Sequence, residues 1–267
     1  MDEYEKFLFD LNGYLVVENI LSPEDLRACN EAIDQYPDGL VQKESLSHGA
    51  TALKGTELRG DLEGMLTWPN PWCQPFRDLL SHPIILPYLT ELLREGFRLD
   101  HVYGITMRKG AEGLILHHDG TSDDLTSFYQ FHNGRMRSGL TVVSWMLTDV
   151  GPKDGGLMCI PGSHKSNYSV PDDVASLDRN IGVVQQVEAK AGSAVIFTEA
   201  LAHGTLPWNA EHDRRSILYK YSPAQLSWAQ HHLPVGVEEI MDELTPDQRA
   251  LLVPPYHPYL KRPALTG

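Results

Sequence analysis

The first third of the chain is patterned differently from the rest. Before about residue 97, the pattern predicts one strand and two helices, at 14–18, 23–36 and 82–93. Ser22 suits the N-cap of the first helix, and Pro23 suits its first helical position. Residues 37–80 carry no clear period.

After residue 97, short apolar runs alternate with Gly, Pro, Asp and Asn. The runs span 98–108, 113–119, 139–149, 156–162, 182–190, 192–200 and 214–223. Many short strands with regular turns are typical of a sandwich or barrel. Two polar stretches, 120–138 and 166–180, are predicted to be long loops, and loops of that length are often functional.

The tail predicts one short helix at about 237–243, with room for a second after Pro246. We therefore expect a mainly β protein in which helices flank a small-barrel or jelly-roll core. The chain is predicted to be a single domain over 1–267. Its parts are a helical and strand support (about 1–96), the β core (about 97–225) and a tail (226–267).

Composition narrows the class of function. The 267 residues are 42% hydrophobic and 22% charged, as in ordinary globular proteins. With 22 Lys and Arg against 36 Asp and Glu, the net charge of −14 disfavours binding to nucleic acid or to an anionic membrane. No apolar run approaches the ~20 residues of a membrane span. The N-terminus lacks signal-peptide order, and the three cysteines form no CxxC, so a cytoplasmic location is expected.

Candidate metal ligands lie on two of the predicted strands. In a strand, residues i and i+2 point to one face, so His117 and Asp119 project together while His118 points away. Such a pair also arises by chance, and a metal needs a third ligand. His203 follows an apolar strand at 194–197 and can supply it. Two histidines and one carboxylate make the facial triad of non-haem iron oxygenases, which leaves coordination positions open.

A 2-oxo acid co-substrate would need a cation for its distal carboxylate, and the guanidinium fork suits that group. Arg214 opens a predicted strand, and Ser216 lies on the same face. Arg215 would face the other way, with Ile217 and Tyr219. This alternation favours Arg214. Either Ser144 or Trp145 should also face the barrel interior, and Trp145 is our predicted cofactor contact.

Several motifs together resemble the phytanoyl-CoA dioxygenase family of Fe(II)- and 2-oxoglutarate-dependent oxygenases. They are the HxD of 117–119, DGGLMCIPGSHK of 154–165, AHG of 202–204 and RRS of 214–216. The opening FLFDLNGYLVVENILSPEDL is also similar to that family's N-terminus. The resemblance implies a double-stranded β-helix (a jelly-roll, cupin-like core). It also implies iron on His117, Asp119 and His203, and 2-oxoglutarate on Arg214.

The resemblance further implies an enzyme that uses Fe(II), 2-oxoglutarate and O2 on a small-molecule substrate and releases succinate and CO2. Related halogenases replace the acid of HxD by a small residue, so Asp119 makes hydroxylation of an unactivated C–H bond the expected outcome. Desaturation, ring formation and epimerisation remain alternatives. So do a non-catalytic cupin-like binding protein and a zinc hydrolase on the same ligands. A monomer and a homodimer are both open.

The polar stretch 120–138 directly follows Asp119 and is predicted to cover the substrate. It carries aromatic and cationic side chains that suit contact with an organic anion. The substrate contacts predicted here are Phe128, Tyr129 and Arg135.

Overall fold

The computed structural model describes residues 1–118, 125–231, 233–257 and 265. Within them, the strands are β1 (Tyr14–Val17), β2 (Leu40–Gln42), β3 (Gly60–Leu62), β4 (Arg98–Met107), β5 (Leu114–His117), β6 (Tyr129–His132), β7 (Arg135–Ser138), β8 (Thr141–Met146), β9 (Gly156–Cys159), β10 (Gln185–Gln186), β11 (Ala194–Thr198), β12 (His203–Leu206) and β13 (Arg214–Ser222). The α-helices are α1 (Glu3–Asn12), α2 (Pro23–Gln35), α3 (Gln74–Leu80), α4 (Leu86–Leu93), α5 (Asp172–Ala175) and α6 (Pro246–Leu251). Short 3-10 helices occur at Pro37–Gly39, Thr51–Leu53, Met65–Thr67, Ser163–Lys165 and Val237–Glu243.

The strands form two antiparallel sheets that share a core. The larger has the order β1-β11-β8-β13-β4-β3-β2, and the smaller has the order β10-β9-β12-β5. From β4 to β13 the chain passes repeatedly between the sheets, which gives the double-stranded β-helix expected from the sequence. Apolar side chains of both sheets meet between them, including Val142, Phe197 and Leu218 from the larger and Cys159 from the smaller.

Helices cover the outer face of the larger sheet. Their apolar stripes bury Phe9, Leu89 and Leu92 against outward-facing sheet residues such as Val143 and Tyr219. The predicted N-cap is confirmed, since the Ser22 hydroxyl oxygen accepts a hydrogen bond of 3.1 Å from the backbone N–H of Asp25. The helix predicted over 82–93 begins later, at Leu86. Helix and sheet faces therefore bury each other's apolar side, as a layered fold requires.

Residues 37–80, which show no period in the sequence, contain two short strands that extend the larger sheet. β3 pairs with β4, and β2 pairs with β3. A three-residue strand is too short to establish a visible alternation. The sequence pattern therefore gave no sign of these two strands.

The loop prediction for 120–138 is partly wrong. Strands β6 and β7 form a hairpin closed by Asn133 and Gly134, whose φ angles are 53° and 73°. Positive φ at both central residues is the signature of a tight hairpin turn, for which Asn-Gly is the preferred pair. The polar composition of the flanking strands concealed this signal. Within the other predicted loop, 166–180, the structure contains the short helix α5.

In the tail, the predicted helix at 237–243 is a 3-10 helix, and α6 follows from Pro246 as expected. Among the described residues, none of the helices combines the length and the apolar character that a bilayer crossing demands.

A buried carboxylate connects the tail to β4. Asp100 is 1% exposed and accepts hydrogen bonds from the backbone N–H groups of Trp228 and Ala229 and from the Ser222 hydroxyl. It also lies 3.6 Å from the Arg98 guanidinium, which is fully buried. Burial raises the pKa of Asp100, but His101 and these backbone donors lower it more, to about 2.

Replacing Asp100 by alanine should strongly destabilise the fold, because Arg98 would remain buried without its counter-charge. Breaking a buried pair in this way costs about 3–5 kcal/mol, which urea denaturation would measure. The exposed Asp38→Ala is the matched control and should stay within about 0.5 kcal/mol. Because folding lowers the pKa of Asp100, its contribution should be present above about pH 4 and be lost as the pH falls toward 2. A loss below about 1 kcal/mol for Asp100→Ala would contradict this account.

Candidate active site

Two histidines from adjacent strands of the smaller sheet lie side by side. His117 ends β5 and His203 begins β12, and the two residues are direct partners in the antiparallel pairing. Their ring centroids are 4.3 Å apart. The register of one strand pair therefore brings together two histidines that are 86 residues apart in the chain, since 203 − 117 = 86.

Backbone carbonyls fix the tautomer of both rings. The Nδ1 of His117 lies 3.1 Å from the Ile115 carbonyl oxygen, and the Nδ1 of His203 lies 2.8 Å from that of Leu201. A carbonyl oxygen only accepts, so each Nδ1 carries a hydrogen, and in the neutral ring Nε2 then keeps its lone pair. Burial, and then the neighbouring His117, lower the pKa of His203 to about 3. Hydrogen bonds of this kind orient histidines that bind metal ions.

Glu199 completes a group of possible metal ligands that the sequence did not reveal. One ligand atom each from His117, Glu199 and His203 lies within 4.8 Å of the others. Burial raises the pKa of Glu199, but Lys220 and then His203 lower it more, to about 2. The carboxylate is therefore an anion at neutral pH. No periodic pattern applies to Glu199, because it lies in the turn between β11 and β12.

Of the remaining HxD residues, Asp119 lies outside the described residues. His118 follows β5 and does not belong to the group of possible ligands. The described residues thus bring together His117 and His203 of the predicted triad.

Arg214 lines one pocket together with His117 and His203 and is almost completely buried there. Its side chain is 3% exposed, and its Nη1 donates to the Met107 sulfur at 3.4 Å. The buried Nε has no hydrogen-bond partner, and neither has the hydroxyl of Ser216 two residues further along β13. Burial and then Arg59 lower the pKa of Arg214 to about 10, so the guanidinium stays charged at neutral pH. Within the described part of the chain, no carboxylate forms an ion pair with it.

The two neighbouring arginines of the RRS motif serve opposite faces of β13. Arg215 points toward α2, where it forms an ion pair of 2.6 Å with Asp34 and contacts Asn30. Gly156 explains part of the glycine-rich motif, because its φ is 82° and a Cβ there would come within 3.0 Å of the Arg214 Nε. A side chain at this position would crowd the guanidinium.

The prediction that Trp145 contacts the cofactor is wrong, because Trp145 lies on the face of β8 that points away from the pocket. Trp145 is buried on the outer face of the larger sheet, where its ring lies 5.2 Å from that of His82. Ser144 takes the pocket face instead. Both positions are buried on β8, so hydrophobicity alone did not distinguish the inner face from the outer.

None of the three predicted substrate contacts lines this pocket. Tyr129 donates a hydrogen bond to Asp10 of α1, and its ring packs at 4.6 Å against His164. Phe128 is half-buried and Arg135 is exposed on the hairpin. The hairpin is thus attached to α1 and to the motif turn that holds His164.

The pocket combines three cations with an apolar wall. Arg59, Arg214 and Lys220 line it, and Arg59 already forms an ion pair of 2.8 Å with Asp61. The other lining residues are Tyr103, Ile105, Leu114, His117, Ser144, Leu157, Phe197, His203, Gly204, Thr205 and Leu218. The arrangement suits an anionic ligand that reaches from the histidines to Arg214.

Comparison with known proteins identifies the family of this chain. The profile of the phytanoyl-CoA dioxygenase family (PhyH) matches residues 9–216. The chain belongs to this family. The resemblance drawn from the motifs is thereby confirmed, and the matched region contains HxD, the glycine-rich turn, AHG and RRS.

Individual relatives are more distant. The dioxygenase trt7 of Aspergillus terreus is 24% identical over 88% of this chain and 78% of its own length. The dioxygenase af480 of Aspergillus fumigatus is 27% identical over 72% of this chain, and the match spans 59% of that relative. HygX of Streptomyces hygroscopicus, solved with nickel, 2-oxoglutarate and hygromycin B, superposes with a TM-score of 0.69 at 19% identity, covering 85% of this chain and 89% of HygX. HygX has also been solved with iron. Of these ligands, iron and 2-oxoglutarate are the ones expected here from the sequence.

A titration with the divalent ion Co(II) should show which of the two adjacent histidines, His117 or His118, binds metal. His117→Ala should abolish high-affinity Co(II) binding, because it removes an oriented Nε2 from the ligand group. His118→Ala is the matched control and should bind as the wild type does. Isothermal titration calorimetry of both variants measures this, and the reverse ranking would mean that strand parity misassigns the ligand.

Proposed function

We propose that this protein is an Fe(II)- and 2-oxoglutarate-dependent oxygenase that hydroxylates an unactivated C–H bond of a small molecule and releases succinate and CO2. The observation that carries the proposal is Arg214, a buried charged guanidinium with an unpartnered Nε, in the pocket of two tautomer-fixed histidines. A buried cation without a carboxylate is costly. A bound dicarboxylate removes that cost and connects the arginine to the metal position.

The residues fit the implied groups. His117, Asp119 and His203 would hold iron, and Arg214 with Ser216 would hold the distal carboxylate of 2-oxoglutarate. Bound iron and 2-oxoglutarate supply the oxygen-activating chemistry. A zinc hydrolase would need the histidines but would give no reason for the buried, unpartnered Arg214, so this residue favours the oxygenase.

The chain's own contribution is orientation and desolvation. The carbonyls of Ile115 and Leu201 hold the two histidine rings by their Nδ1 atoms, which leaves both Nε2 atoms available as ligands. Phe197 and Leu157 form part of the apolar wall, which excludes water and strengthens the charge interactions inside the pocket.

The decisive assay measures succinate formation from 2-oxoglutarate by the purified protein with Fe(II) under air. A screen of metabolite extracts for compounds that accelerate this turnover would then give the substrate class and the outcome. Absence of succinate with and without candidate substrates, in protein shown to bind iron, would favour a non-catalytic binding protein.

The expected cytoplasmic location stays a prediction.

Arg214→Ala should raise the apparent dissociation constant for 2-oxoglutarate steeply. A lost charge-assisted hydrogen bond costs about 1.5–3 kcal/mol, or roughly tenfold to a hundredfold. Arg215→Ala is the matched control, because this side chain binds Asp34 on the opposite face. A co-substrate titration of succinate formation gives both constants. If Arg215→Ala had the larger effect, the co-substrate site would have to move to the helix-covered face.

The hairpin β6–β7 is proposed to act on the substrate and to spare the core reaction. Tyr129→Ala removes its attachment to Asp10, and Arg135→Ala removes an exposed cation that can face an anionic substrate. Both variants should reduce product formation while slow, substrate-free decarboxylation of 2-oxoglutarate stays near wild type. Both rates are measured on one preparation with checked iron content. Equal loss of the two rates would show that the hairpin supports the metal centre.

A further inference from the structure

Glu199 is placed as a ligand would be, although no motif of the family points to it. Its Oε2 lies 3.7 Å from the Nε2 of His203, the nitrogen that keeps its lone pair. Two ligand atoms that each lie about 2.0–2.2 Å from one ion can be up to about 4.2 Å apart. A single first-row metal ion can therefore contact both atoms.

The second carboxylate oxygen is held in place. Oε1 of Glu199 forms an ion pair of 2.7 Å with Nζ of Lys220, and both side chains are at most 10% exposed. The ammonium in turn lies 5.5 Å above the ring of Tyr103 and 5.8 Å above that of Trp228. One oxygen thus faces the ammonium and the other faces the metal-binding nitrogen, which is how an outer partner orients a ligand carboxylate.

We propose that Glu199 is a second carboxylate of the metal centre, which binds the ion through Oε2 while Lys220 holds Oε1. This inference rests on the proposed iron site of His117, Asp119 and His203. It makes the centre a set of two histidines and two carboxylates, with Lys220 as a positioning residue.

A fourth protein ligand would leave fewer positions of the ion open to external ligands than three protein ligands would. Lys220 would keep the buried carboxylate of Glu199 paired whether or not Glu199 binds the ion, which avoids an uncompensated buried anion.

Cobalt binding to the full-length protein tests the assignment without turnover. Glu199→Gln keeps the size of the side chain and removes the charge of the ligand oxygen. We expect Co(II) affinity to fall about tenfold or more and the ligand-field absorption of the Co(II) protein to change. Glu112→Gln is the matched control, because Glu112 is a buried carboxylate that accepts hydrogen bonds from Ser45 and Leu46 outside this pocket. It should leave affinity and spectrum unchanged.

The outcomes separate this inference from the proposed function. If His117→Ala loses Co(II) and Glu199→Gln keeps both affinity and spectrum, Glu199 is only the ion-pair partner of Lys220 and the inference is wrong. A weaker affinity with an unchanged spectrum would mean an effect of charge from outside the coordination sphere, which also overturns it. If His117→Ala binds Co(II) normally, the metal centre itself is misplaced. Circular dichroism of each variant verifies folding.

Discussion

The rest of the structure depends on one constraint: charged groups that lie between the two sheets must be compensated in an apolar environment. Arg214, Glu199 and Lys220 lie in a region where apolar side chains from both sheets meet, and each must be compensated there. Glu199 and Lys220 compensate each other at 2.7 Å. Arg214 keeps a buried Nε without a partner. A fold that maintains such an arrangement needs rigid walls, which the two hydrogen-bonded sheets and the covering helices provide.

Strand periodicity explains which parts of the site were predictable. On β13, alternate residues point to opposite faces, so the sequence alone placed Arg214 and Ser216 together and put Arg215 on the other side. The motifs HxD and AHG end or begin strands in the same way, and the pairing of β5 with β12 brings His117 and His203 opposite each other. Local geometry gave the choice of His117 over His118 and of Arg214 over Arg215, whereas their roles as a ligand set were implied by the resemblance to the family.

The same rule failed where both faces of a strand are buried. β8 has no exposed face, because helices cover one side and the smaller sheet covers the other, so Trp145 and Ser144 were equivalent in pattern. Glu199 was missed for a different reason. It lies in the turn between β11 and β12, where no period applies, and only the folded chain brings Lys220 beside it. The hairpin β6–β7 was hidden because its strands are largely polar, although Asn133-Gly134 is a strong turn signal.

The two faces of the larger sheet carry different kinds of side chain. The outer face is filled by aromatic and aliphatic side chains against the helices, and Tyr219 and Tyr221 donate from it to backbone carbonyls of α3. The inner face of β13 instead carries Arg214, Ser216 and Lys220. One strand therefore anchors the helical layer with its odd residues and builds the pocket with its even ones. The helices on the outer face therefore pack on the same strand that carries Arg214 and Lys220 on its inner face, so packing of the helical layer and construction of the pocket depend on one backbone.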